Sequence, residues 1–238
     1  MTEKEPGIDF TDPLFRRRLS MVSRMTIRVL HDLMPLPRNT KIYFVSFRGE
    51  LSRQLKINKT LIVEGDIKPA DFSLSVFNAP PALASMAFGL STGYSAVYPG
   101  ENNFRFALLG AAACLHSPRP PFPAESSENG AAASGAVCDA AFTTASDVVS
   151  TATPGAAEGA PLALVYADEE IPGEYLALMQ DPPPALALAI LLCSRSAQSG
   201  VPLPGIPLPA DCNSPEELLQ ALGAGMVPET NGNTGVPG

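Results

Sequence analysis

The 238-residue chain has no tryptophan, only two histidines (His31 and His116) and four cysteines, Cys114, Cys138, Cys193 and Cys212. None of the cysteines shows CxxC or other ligand spacing, which argues against a metal site or a disulfide framework. Neither histidine is predictably near a cysteine, so a Cys-His catalytic pair is not expected. No cofactor is expected either. Lysine is absent beyond Lys68, and no basic run interleaved with aromatics is available to track a phosphate backbone, which argues against nucleic acid as a partner. There is no apolar run of roughly 18 residues and no hydrophobic signal core at the N-terminus, and the expectation is a cytoplasmic protein with no membrane span.

What is abundant is unevenly placed. Residues 1–68 carry thirteen Lys or Arg against eight Asp or Glu, whereas residues 69–238 carry three against sixteen. A basic first part favours an anionic partner such as an acidic protein surface or a phosphate group. Most of the excess among the 25 prolines and 19 glycines follows His116. Residues 117–160 are rich in Ala, Ser, Thr, Gly and Pro and cannot bury enough apolar area to offset their ordering entropy, so this stretch reads as a flexible low-complexity insertion. Residues 194–238 read as a Pro/Gly-rich tail, disordered except for a short helix from Ser214-Pro215 to Leu222.

The remaining chain alternates between two periodicities. Leu19, Val22, Thr26, Val29 and Leu33 recur at helical steps within a helix expected over 14–34, with Arg17, Arg24 and Arg28 on its opposite face and Pro35 and Pro37 ending it. Those arginines are either a solvated face or a docking surface for an acidic partner. Lys41 to Phe47 reads as a buried parallel strand, and Arg48-Gly49-Glu50 leads into a helix through Ile57. Phe72 to Val76 is expected to be extended or loop-like, and Pro80-Pro81 suits the first turn of a helix to Phe88. Tyr94 to Tyr98, Pro161 to Ala167 and Ala185 to Leu192 read as strands, the last two buried. Strands alternating with helices give an α/β layered fold.

The segment YSAVYPGENNFRFALLGAAACL, Tyr94 to Leu115, concentrates the chemistry. It predicts a strand, a tight Pro99-Gly100 turn and a helix opening at Glu101. Such an elbow holds one side chain at the turn and aims the helix's first free N–H groups beside it. Glu101 is acceptor-only when ionised, and the helix N-terminus favours that state, so it is a poor acyl nucleophile.

Read in order, FSLSVFNAPPALASMAFGL, YSAVYPGEN, GAAACL, LALVYADEEIP and ALALAILL resemble the N-terminal half of a β-ketoacyl synthase. They are most similar to the chain length factors that accompany a ketosynthase in type II fatty acid and polyketide systems such as those making aryl polyenes. FRRRLSMVSRM and SFRGELSR look like the same family, and the match covers about residues 14–115 and 161–193. The resemblance implies a thiolase-like fold in which residues 1–116 and 161–193 form one ketosynthase-like domain, the N-terminal half only, used as one subunit of a heterodimer. It also implies that Glu101 fills the position of the catalytic cysteine and that the C-terminal half supplying catalytic histidines is absent. Carbon–carbon bond formation by this chain alone is therefore not expected. In the implied dimer Tyr94 to Tyr98 lies near the two-fold axis, and the interface or tunnel candidates are Phe77, Asn78, Met86, Phe88, Tyr94, Val97 and Tyr98. Ordinary core packing is the competing reading for the apolar ones.

Two other classes compete. A divergent acyltransferase or thiolase-like enzyme would use Cys114 as nucleophile, with Glu101 or His116 as base. A pseudoenzyme would bind acyl carrier protein through Arg17, Arg24 and Arg28.

Overall fold

The computed structural model describes residues 6–100, 103–116, 160–193 and 211–225. In chain order the elements are α1 (Pro13–Arg16), α2 (Met21–His31), β1 (Lys41–Val45), α3 (Leu51–Glu64), α4 (Pro69–Ser73) and α5 (Ala79–Phe88). They continue with β2 (Tyr94–Val97), α6 (Phe104–His116), β3 (Leu162–Asp168), α7 (Gly173–Leu176), β4 (Leu186–Leu192) and α8 (Pro215–Gly225). The low-complexity stretch expected over 117–160 lies outside the described residues apart from its last position, and so does most of the expected tail.

One mixed sheet has the order β2-β1-β3-β4. β1 is parallel to both β2 and β3, with Ile42 opposite Tyr94 and Ala163, whereas β4 is antiparallel to β3. Alternation along the strands sorts the core into two layers. Ile42 and Phe44 of β1 and Ala163, Val165 and Ala167 of β3 meet Val22, Ile27 and Leu30 of α2 and Leu83 and Ala84 of α5. The three small or β-branched β3 residues let α2 lie close. On the other face Tyr43, Val45, Leu162, Leu164 and Tyr166 pack against Phe104, Leu108 and Ala111 of α6 and Leu218 of α8. Each buried Leu, Ile or Phe stabilises the fold by about 1.5–3 kcal/mol.

Several expectations are corrected. The helix expected over 14–34 is two helices, because Asp12 caps α1 through the Leu14 and Phe15 N–H groups and Ser20 starts a second helix by accepting from the Ser23 N–H. Arg17 therefore lies just beyond α1 and does not share a helix face with Arg24 and Arg28. α3 continues past Ile57 to Glu64, where Gly65 at φ +73° closes it in the left-handed conformation that glycine adopts most easily. Within the stretch expected to be extended, Phe72 and Ser73 lie in α4, since Pro69 sits in that helix's first turn. α6 opens at Phe104, later than Glu101. β4 is only half-buried, because it is an edge strand with β3 as its single described neighbour. α8 extends to Gly225, and Leu218 is fully buried in the second core layer.

Candidate functional site

In parallel α/β sheets the C-terminal ends of the strands converge on one edge, where loops rather than regular structure carry the chemistry. Here β1 ends at Val45 and β3 at Asp168, and the turns beyond them are tied together by a buried polar hub. Asp168, fully buried, accepts from the hydroxyls of Ser46 and Tyr166 and from the Phe47 and Arg48 N–H groups, the latter two at 3.1 and 3.0 Å. Ser46 Oγ in turn accepts from the Arg48 and Gly49 N–H groups at 3.3 and 2.7 Å. Arg48 Nε stands 3.5 Å from the Asp168 carboxylate, while the ends of the same guanidinium donate to the Pro183 and Pro184 carbonyls. Burial and the neighbouring Asp168 charge push the Tyr166 phenol far above its usual value, so it stays a donor to that carboxylate.

The hub supports the elbow through aromatic contacts. Tyr166 meets Phe104, the first residue of α6, edge-on at 5.7 Å between ring centroids, and meets Phe47 at 6.0 Å. Phe47 in turn packs edge-on against Tyr98, which follows β2. The chain entering and leaving the elbow thus rests on one aromatic cluster, and Gly100 at φ +84° makes the turn. Glu101, the residue expected at the nucleophile position, lies outside the described residues, as does Asn102.

The structure separates the other candidates into two groups. Phe77, half-buried, meets Phe44 edge-on and covers Gly49, where an added Cβ would come within 2.7 Å of the Phe77 ring. Phe88 is half-buried against the first core layer, and Val97 against the second. Asn78, Met86, Tyr94 and Tyr98 are exposed. Asn78 donates to the Tyr94 hydroxyl at 3.3 Å, joining the start of α5 to β2, and both Asn78 and Met86 line a shallow groove of about 230 Å³. Met86, 65 % exposed, also borders a second groove, of about 400 Å³, against Phe10 and Phe15.

β2 is an edge strand, and the helices on either side of it are apolar almost all the way round. α5 reads APPALASMAF and α6 FRFALLGAAACLH. A helix of that kind is normally covered on every side. Here Met86 of α5 and Phe106 and Leu109 of α6 stand exposed, as do Tyr94 and Tyr98, and among the described residues β2 pairs with β1 alone.

Cys114 is half-buried in α6 against the second core layer. Its neighbour Tyr43 has its phenol pushed up to about 12, by burial first and by the Cys114 charge second. His116 ends α6, and its side chain is not among those described. Arg17 is exposed; Arg24 donates to the Arg16 carbonyl; Arg28 pairs with Asp32 at 3.0 Å and donates to the Gly7 carbonyl. Among the described residues no helix is long and apolar enough to cross a membrane.

The family model for the β-ketoacyl synthase N-terminal domain matches residues 1–121. The chain belongs to that family. A solved complex of a ketosynthase (ApeO) with its chain length factor (ApeC) from Xenorhabdus doucetiae contains a chain similar to this one, at 22% identity and a TM-score of 0.55. The similarity covers 82% of this chain and 65% of that one, and it supports the same ketosynthase-like α/β fold. Comparison with curated proteins finds no match.

The polar hub was not foreseen from the sequence. Ser46 and Asp168 are separated by 122 residues and obey no spacing rule. The one available signal was Asp168 at the end of an apolar strand, where a carboxylate must find buried donors.

Proposed function

We propose that this chain is a non-catalytic subunit that pairs with a β-ketoacyl synthase and helps to shape the cavity for the growing acyl chain, in the manner of a chain length factor of type II fatty acid or polyketide (aryl polyene-like) systems. The observation that carries this reading is that β2, paired on one edge only among the described residues, runs between two largely apolar helices, with Met86, Tyr94, Tyr98, Phe106 and Leu109 exposed. An edge strand of this kind is completed by a strand from a partner, and the flanking apolar residues supply the buried area. The resemblance of YSAVYPGEN to the elbow of the catalytic members, with Glu101 at the cysteine position, supports a supporting rather than a reacting subunit. An acyl carrier protein is the third component of the proposal. Arg17 and Arg28, both exposed on the basic N-terminal segment, are its candidate contacts together with Arg24.

The test is co-expression of the tagged chain with the ketosynthase encoded nearest to it, followed by size-exclusion chromatography with mass detection. A one-to-one complex that is lost in Met86→Lys supports the reading, because Met86 is too exposed for that change to unfold the chain. A soluble monomer or homodimer that ignores the synthase overturns it. Fast alkylation of Cys114 near neutral pH would instead favour an acyltransferase that uses this thiol.

A further inference from the structure

We propose that Glu50 is a pH-sensitive latch between α2 and the turn that leads from β1 into α3. The inference is independent of any pairing with a synthase. Glu50 is fully buried and holds the cap position of α3, yet its side chain makes no capping bond to that helix. It turns to the start of α2 instead. There Oε1 accepts from Ser20 Oγ at 2.6 Å and from Ser23 Oγ at 3.2 Å. Ser20 is itself the cap of α2, accepting from the Ser23 N–H at 3.0 Å. The carboxyl therefore joins the N-termini of two helices, whose partial positive charges favour its ionised form.

The other oxygen is in the opposite situation. Oε2 is buried and has no hydrogen-bond partner among the described residues. Arg53, one turn along α3, places Nε 3.5 Å away, but its Nη2 is committed to the Arg18 carbonyl. From the end of β3, Glu169 adds a second negative charge while accepting from the Ser52 N–H. From the end of β1, Arg48 is turned to Asp168. The α2 side contributes the two serine hydroxyls. Burial outweighs the hydroxyls and Arg53, and the Glu50 carboxyl titrates above its usual value of 4.5.

The sign follows from linkage. When the folded state holds a proton more tightly than the unfolded state, the stability contributed by that group is full below the unfolded value. It is lost as pH rises through the folded value. The latch is tightest below the unfolded value and loosens as pH rises through the folded one, which weakens the hold on Ser20, Ser23 and the 46–50 turn.

Hydrogen exchange of the full chain tests this, read by mass spectrometry over residues 18–24 and 48–54 from about pH 4.5 to about pH 7.5 and corrected for intrinsic rates. Protection should fall with pH in the wild type and stay flat in Glu50→Gln, and equal slopes in the two proteins overturn the proposal. If Glu50→Gln does not fold, a carboxyl-carbon NMR titration of the wild-type chain decides. A Glu50 midpoint above 4.5 supports the latch, and one at or below 4.5 overturns it.

Discussion

Gly110 lies in the middle of α6, where replacing glycine by alanine ordinarily stabilises a helix by about 1 kcal/mol. Here the opposite sign is expected. A Cβ at Gly110 would stand far inside van der Waals contact of the Tyr43 hydroxyl, with Cζ at 3.3 Å. Tyr43 is 5% exposed on a central strand, and its ring is rigid, so either the ring or the whole helix must give way. Overpacking of that kind costs about 1–3 kcal/mol, and the severity of the contact places Gly110→Ala near the upper end, for a net loss of about 2 kcal/mol. Tyr43→Phe removes the offending oxygen and leaves the 3.3 Å contact, which a few tenths of an ångström of adjustment relieves. In that background Gly110→Ala should recover its helix gain, which makes the coupling between the two changes about 3 kcal/mol. Urea unfolding of the four proteins of the cycle measures it. If Gly110→Ala stabilises the wild type, or has the same effect with and without the Tyr43 hydroxyl, then this contact does not set the distance between α6 and the sheet.

Asp168→Asn keeps the shape of the hub but leaves one acceptor oxygen for four donors and removes the charge facing Arg48; it should cost about 3–5 kcal/mol in chemical denaturation. Ser20→Ala removes both the cap of α2 and a donor to Glu50 and should cost about 1–2 kcal/mol, measurable in the same assay. Gly49→Ala meets the Phe77 ring at a φ of +56° and should lose about 2–4 kcal/mol, with part of the loss relieved in Phe77→Leu. Carrier-protein binding through the N-terminal arginines, if it occurs without the synthase, should weaken severalfold as salt rises from about 50 to about 300 mM in a pull-down titration.

The strands were legible because their signal is local. KIYFV and LALVYAD are apolar on both faces, and a strand covered on both sides by helices needs that composition. The starts of α5 at Ala79-Pro80 and α8 at Pro215 were legible for a similar reason, since proline in the first helical turn announces itself. Helix punctuation by a single side chain was harder. Ser20 interrupts an otherwise continuous apolar period, and whether a serine caps or merely sits in a helix depends on the Ser23 N–H it meets. The extent of the β2 face was legible only as composition. Which residues of APPALASMAF stay exposed depends on where α2 packs, and so Met86 and Phe88, two positions apart, end on opposite sides of the same helix. The hub of Ser46, Asp168 and Tyr166 and the Glu50 cluster were hidden because their members are brought together by tertiary pairing alone.

The position of β3 between β1 and β4 has a consequence for the newly made chain. Ser46, at the end of β1, waits for Asp168, 122 residues later, before its hydrogen bond can form. At ordinary rates of synthesis that interval is roughly 6 to 24 s, and through it the main-chain edge of β1 that β3 will occupy waits for its partner strand. The first half of the protein thus leaves the ribosome before the strand that completes this edge of β1 has been made, and an unpaired edge of that kind is open to association until residues 162–168 arrive.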